Sequence, residues 1–215
     1  MENLGNIYFP SCNFTKASPQ AAKKLRDWLK ASMPVAGCCR TDAREYPAGG
    51  RALYLCQACR ETIEERFPKL EPENLFAWLD REGGLALPDY SGLMVSIQDC
   101  WRDRAHPEIH RAVRSLLEKM GVAVREIGEN RERADYCGNL HFTPRRPAAL
   151  ALVSARPDTP LWQFPEEEQR VVFAEQLEKH GGLPVLCYCN RCQLGIKTAG
   201  GRAVHLMELV MGTYQ

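Results

Sequence analysis

Along the chain, short apolar runs alternate with longer segments of 3.6-residue period, the pattern of strands followed by helices. NIYFPSC is apolar-aromatic and predicts a short strand with Cys12 at its end. Ser18-Pro19 then reads as an N-cap and a first-turn proline. Behind it, Ala22, Leu25, Trp28 and Leu29 recur at helical spacing over about three turns. A second short strand is expected from about Met33 to GCCR, a loop around YPAGGR, and a third strand at RALYLC. CRETIEERF predicts a helix that Pro68 stops, and EPENLFAWLDREGG another with Leu75, Trp78 and Leu79 on one side.

Beyond Gly83 and Gly84 the sequence of events returns. LMVSIQDC predicts a strand ending in Cys100. HPEIHRAVRSLLEKMG predicts a helix with Ile109, Val113, Leu116, Leu117 and Met120 in register, and VAVREI a strand leading to DYCGN. PEEEQRVVFAEQLEKHGG is a third well-marked helix, with three glutamates at its positive end and Gly181 and Gly182 as its stop. It feeds the strand LPVLCYC, with Cys189 at its end and Cys192 in the next turn. Residues 140–163 are expected either to contain a helix around Pro147 to Ser154 or to pack as an insertion near the second site.

Aligning Cys12 with Cys100, Cys39 with Cys137, and Cys56 and Cys59 with Cys189 and Cys192 brings the two halves into register. The expectation is an α/β chain of two duplicated Rossmann-like units, with short, mostly parallel sheets related by pseudo-twofold symmetry; a less regular α+β fold is the alternative. Residues 1–86 would form the first cysteine-rich unit and residues 87–215 the second. In such sheets ligands gather beyond the carboxyl ends of the strands, where this reading puts the cysteines.

The 215 residues, 45% of hydrophobic type, suffice for a core without covalent staples. The ten cysteines therefore call for another reason. MENLGNIYFP lacks the basic and long apolar regions of a secretory signal, so a reducing cytoplasmic setting with a metal or redox cofactor is expected over a secreted disulfide framework. No stretch is long and apolar enough to span a membrane. Lys+Arg 28 against Asp+Glu 27 gives no electrostatic argument for nucleic acid.

A lone CxxC fits a dithiol switch, a zinc knuckle or part of a larger cluster. The first half offers five thiols, Cys12, Cys38, Cys39, Cys56 and Cys59. Structural zinc needs four ligands, so five point to an iron-sulfur centre, with zinc plus a spare thiol as the alternative. Adjacent cysteines reach one centre only if the backbone turns around it, which Gly37 would allow. The second half offers Cys100, Cys137, Cys189 and Cys192, enough for a [4Fe-4S] cluster or tetrahedral zinc. Cys187 is either a further ligand there or a buried, apolar-like thiol.

YFPSC, GCCR and the CxxC at 56 to 59, repeated imperfectly by QDC, YCG and CYCNRC, resemble the twofold cysteine-rich CCG domain family found in heterodisulfide reductase and in related iron-sulfur oxidoreductase subunits. The resemblance spans about residues 6 to 211. It implies a noncubane [4Fe-4S] cluster on Cys12, Cys38, Cys39, Cys56 and Cys59, serving disulfide reduction and electron transfer. The chain departs from the family pattern at Arg40, where glycine is usual, in the short separation of Cys39 from Cys56, and at Tyr136, where a cysteine is expected. Arg40 would favour anionic sulfur species or simply be a solvated loop residue.

His106, His110, His141, His180 and His205 are scattered and form no HExxH pattern; His106 and His110 read as surface or capping residues. Trp28 and Trp78 fit helix cores, and the GG steps lack the context of a dinucleotide fingerprint. Three functions remain in play: an iron-sulfur electron-transfer protein or subunit, a zinc-stabilised scaffold or interaction protein, and a cofactor-free dithiol oxidoreductase. The first implies electron-donor or electron-acceptor protein subunits as partners, with a small thiol or disulfide as a substrate.

Overall fold

The computed structural model describes residues 5–214, so the first four residues of MENLGNIYFP lie outside the described residues. The fold is α/β with two parallel sheets. The first sheet joins β1 (Asn6–Tyr8), β2 (Arg51–Tyr54) and β3 (Glu71–Asn74) in the order β1-β2-β3. Near Met33 the expected strand is reduced to a single parallel bridge between Tyr8 and Val35. The second sheet joins β4 (Met94–Gln98), β5 (Ala123–Arg125), β6 (Val185–Cys187) and β7 (Ala203–His205) in the order β5-β4-β6-β7.

The helices are α1 (Cys12–Ala17), α2 (Pro19–Leu29), α3 (Gln57–Arg66), α4 (Leu75–Glu82), α5 (Pro107–Lys119), α6 (Pro147–Ser154), α7 (Glu166–Glu178), α8 (Asn190–Thr198) and α9 (Leu206–Val210). The periodic segments adopt the helices their sequences predict. α2 buries Ala21, Ala22, Leu25 and Leu29, while Trp28 is half-buried and packs its ring against Trp78 at 6.3 Å. Ser18 caps α2 without a side-chain bond to it; its hydroxyl donates to Glu208 instead. EPEN is a strand, not the start of a helix: the Asn74 side chain accepts the Phe76 N–H and sets the first turn at Leu75. His110 departs from the surface reading, for α5 buries it beside Ile109.

By contacts the chain divides into two compact units. One holds Met1–Pro88, Arg111–Leu116 and Met207–Gln215, and the other Asp89–His110 and Leu117–Leu206. In the first, Ile7, Phe9, Ala52, Tyr54, Ile63 and Leu70 form a core into which Cys39, Cys56 and Cys59 are built. In the second, Val95, Ile97, Val185 and Leu186 are fully buried. There the segment 140–163 is anchored on α7: one Glu175 carboxylate oxygen accepts both the Arg145 and Arg146 N–H groups, which hold the start of α6, and Arg146 pairs with Glu178.

Candidate metal centre

Each sheet delivers thiols past the carboxyl ends of two adjacent parallel strands. In the second unit Cys100 follows β4 and Cys189 follows β6, where Cys189 is the N-cap of α8 and places Cys192 in its first turn. Cys137 arrives on a tight loop, its N–H donating to the His141 carbonyl at 2.7 Å. Gly138 makes the loop possible: its φ is +53°, and a Cβ there would stand 2.0 Å from the Arg191 carbonyl oxygen.

The Sγ atoms of Cys100, Cys137, Cys189 and Cys192 all lie within 4.8 Å of one another, with Cys100 and Cys137 at 3.4 Å. This four-cysteine cluster is able to ligate a metal ion. Cys100, Cys137 and Cys192 are fully buried, and Cys189 is half-buried. Hydrogen bonds from Cys100, Cys137 and Cys192 hold the Cys189 thiol well below the usual range, whereas burial pushes Cys192 well up. Cys187 is fully buried on β6 between β4 and β7 and lies outside the four-thiol set; its Sγ is 3.9 Å from the Val185 carbonyl.

Around the cluster, the Cys100 N–H donates to the Tyr188 hydroxyl, which in turn donates to the buried Asp99 carboxylate. Trp101 stacks on His141 at 3.9 Å, with the Arg104 guanidinium over its ring. Tyr136 occupies the place of the expected cysteine as a fully buried residue packed edge-on against Phe142 and Phe173. Its hydroxyl has no hydrogen-bond partner among the described residues, and its carbonyl oxygen lies 3.6 Å from the Cys192 Sγ. Below, His180 Nε2–H and the Gln176 amide both donate to Gln98 Oε1. This leaves His180 Nδ1 to accept from the Ser96 hydroxyl at 2.8 Å.

The first unit is arranged differently. Cys12 opens α1 after β1, where the Ser11 hydroxyl accepts the Phe14 N–H, and Cys56 is the N-cap of α3 after β2. Cys12 and Cys38 are 3.7 Å apart, with Cys12 exposed and Cys38 half-buried. Cys56 and Cys59 are 3.4 Å apart and buried, and Cys39 hydrogen-bonds to Cys59. Among the described residues, the four thiols of the second unit are the one group of three or more potential ligands gathered within 4.8 Å. The five thiols here occupy a wider nest. Cys38 is lowered from the usual thiol range, first by the Arg40 backbone N–H; hydrogen bonding with Cys56, then burial, pushes Cys59 far up.

What holds the Cys38-Cys39 loop is Asp42. Its buried carboxylate accepts from the Gly37 N–H at 2.6 Å, the Tyr46 hydroxyl at 2.8 Å and the Arg44 backbone and guanidinium, and the Arg44 interaction holds it far below the usual carboxylate range. A Cβ on Gly37 would stand 3.2 Å from the same carboxylate. Arg66 on α3 donates to the Cys39 and Asp42 carbonyls, and Tyr46 packs into an aromatic trio with Phe9 and Phe67. A single Asp two residues before an Arg carries no signal in sequence. Its role comes from the turn that wraps the backbone around it.

No protein-family model, curated protein or solved structure matches this chain.

Proposed function

We propose that the protein is an iron-sulfur electron-transfer protein or subunit. On this reading the five-thiol nest of the first unit holds the redox centre and reduces a small disulfide or persulfide, while the four-thiol cluster of the second unit holds a closed, stabilising metal ion. The observation that carries the reading is the contrast between the two thiol sets. A tetrahedral ion with bonds of about 2.3 Å to sulfur needs sulfurs about 3.8 Å apart. The second set is gathered within 4.8 Å and is almost entirely buried, which fits one ion such as zinc better than a four-iron cube. The first set has one thiol more, is spread wider and reaches solvent at Cys12.

The matching order of strand and cysteine in the halves supports reading residues 1–86 and 87–215 as duplicated units, and the CCG-like motifs favour a noncubane [4Fe-4S] cluster on Cys12, Cys38, Cys39, Cys56 and Cys59. When bound, such a cluster supplies electrons one at a time. The chain's own residues position it: Asp42 and Arg66 fix the loop carrying Cys38 and Cys39, and the apolar core around Cys56 and Cys59 keeps water from that side. Tyr136 meets the second set through its carbonyl oxygen, 3.6 Å from the Cys192 Sγ, while its hydroxyl is buried without a partner among the described residues. Donor or acceptor protein subunits in a cytoplasmic setting complete the proposal; no helix among the described residues is long and apolar enough to cross a membrane.

A second reading has its own observation. The compact second set favours zinc, so a zinc-stabilised scaffold without redox function accounts for half of the molecule. Purification without oxygen, followed by metal and acid-labile sulfide analysis with visible spectroscopy, separates the two. Iron and sulfide bound in a form that Cys39→Ser removes support the redox reading. Stoichiometric zinc without sulfide overturns it and favours the scaffold.

A further inference from the structure

At the Asp42 clamp the first unit carries a cavity of about 300 Å³ that no cysteine lines. Its walls are two runs of chain, residues 42–46 in the loop that follows Cys39 and residues 66–70 at the end of α3 and the turn beyond it. The size is at the lower end of small-molecule sites, which suits a ligand with a single ring. The lining joins an aromatic wall to cations. Tyr46 and Phe67, both half-buried, meet edge-on at 5.7 Å and are backed by Phe9. Asp42 and Arg44 are spent on each other. Of the charges that remain, Arg66 and Lys69 are cations and Glu45 is the single anion, and none of the three makes an ion pair among the described residues. The cavity therefore keeps a net positive charge beside an aromatic surface.

We infer that this cavity is an effector site for a single-ring aromatic carboxylate, whose binding steadies the loop that carries Cys38 and Cys39. Lys69 and Arg66 receive the carboxylate, and the ring lies against Tyr46 and Phe67. Arg66 keeps donors free for this after its two bonds to backbone carbonyls. Those two bonds supply the coupling. Arg66 donates to the Cys39 carbonyl at 2.6 Å and to the Asp42 carbonyl at 3.2 Å, and Asp42 in turn holds the Gly37 N–H at 2.6 Å. Groups that line the cavity are thus the groups that hold the thiol loop. When the loop opens, residues 42–46 leave and the cavity loses one of its walls, so a ligand that needs both walls binds the closed loop and adds its binding free energy to closure. The inference holds whether the thiols carry a cluster or stand free, and goes beyond the proposed function in naming a control on the loop that presents them.

The test uses the full chain and three probes: 3-phenylpropionate, phenethylamine, which puts an ammonium in place of the carboxylate, and propionate, which lacks the ring. Binding is read by NMR titration, and the loop by hydrogen–deuterium exchange of peptides covering residues 37–46. At low salt 3-phenylpropionate is expected to bind roughly tenfold tighter than either of the others, and its margin over phenethylamine should narrow as salt is raised. Lys69→Ala should weaken it several-fold, and Lys69→Arg should restore it; Lys69 is exposed and takes no part in the clamp, so both variants keep the loop intact. With the probe at ten times its Kd, exchange over residues 37–46 should slow by about tenfold while peptides of the second unit stay unchanged. Absence of saturable binding, or binding indifferent to charge, ring or Lys69→Ala, overturns the site. A bound probe that leaves exchange over residues 37–46 unaltered overturns its role as an effector. Neither outcome depends on iron or sulfide in the preparation, so failure here leaves the proposed cluster standing and loss of the cluster leaves this test valid.

Discussion

Single buried polar groups decide how the thiols are held. Asp42 gathers the Gly37 N–H, the Tyr46 hydroxyl and Arg44 around one carboxylate, so Asp42→Asn removes the charge that makes those bonds strong. We expect it to lower unfolding free energy by about 1–3 kcal/mol and to reduce iron retained by the first unit. Urea unfolding and metal analysis check both, and a variant with full iron content would show that the loop is held by other means. His180 sets a pH limit on the second unit. Burial, then Arg125 and Lys179, lower its pKa to about 4, while the unfolded chain titrates near 6.5. The folded state therefore binds fewer protons in that window. The stability due to the neutral ring is complete above about pH 6.5 and is lost as pH falls toward 4, by about 3 kcal/mol. Thermal unfolding followed from pH 7 to 4 should fall more steeply for the native chain than for His180→Gln; parallel slopes would exclude His180 as the source.

At the scale of the element, the second site depends on the close approach of the Cys137 loop to α8. Gly138→Ala would force a Cβ against the Arg191 carbonyl at a positive φ, and backbone cannot yield as a side-chain tip would. The expected result is a destabilisation of about 2 kcal/mol or more with loss of metal from the second set, read by melting temperature and zinc analysis. Most of the longer elements were legible in the sequence: an amphipathic helix writes its buried stripe at a fixed period, as α2 and α5 do, and α7 is marked instead by the glutamates of its first turn and the glycines that follow it. The three- and four-residue strands were less so. β3 is spelled Glu-Pro-Glu-Asn, polar because it lies at a sheet edge where Pro72 is tolerated, and so it read as helix; β7 and α9 are too short to show a period. The ordered spacing of cysteines made the four-thiol cluster of Cys100, Cys137, Cys189 and Cys192 visible. The hydrogen bonds that position the thiols were not, since Asp42, Tyr188 and His180 reach their partners through turns and sheet neighbours that no local pattern encodes.

For the molecule as a whole, the proposed assignment of an iron-sulfur centre to the first unit and a single ion to the second implies separable responses to metal. A metal ion that binds the folded second unit and not the unfolded chain adds stability that grows with the logarithm of its free concentration, about 4 kcal/mol at a thousandfold excess over Kd. The four thiols are nearly all buried, beyond the ends of β4 and β6 and on the Cys137 loop, so removing one leaves a deeply placed set that no longer completes a tetrahedron. Cys192→Ser should therefore abolish the rise of melting temperature with added zinc and leave the visible absorbance of the first unit in place. Cys39→Ser should do the reverse, because Cys39 belongs to the separate nest with Cys56 and Cys59. Thermal melts over a zinc series, together with visible spectra of both variants, decide the matter. If either substitution removed both the zinc response and the absorbance, the sites could not be independent, and a single shared metal centre would have to replace the two proposed here.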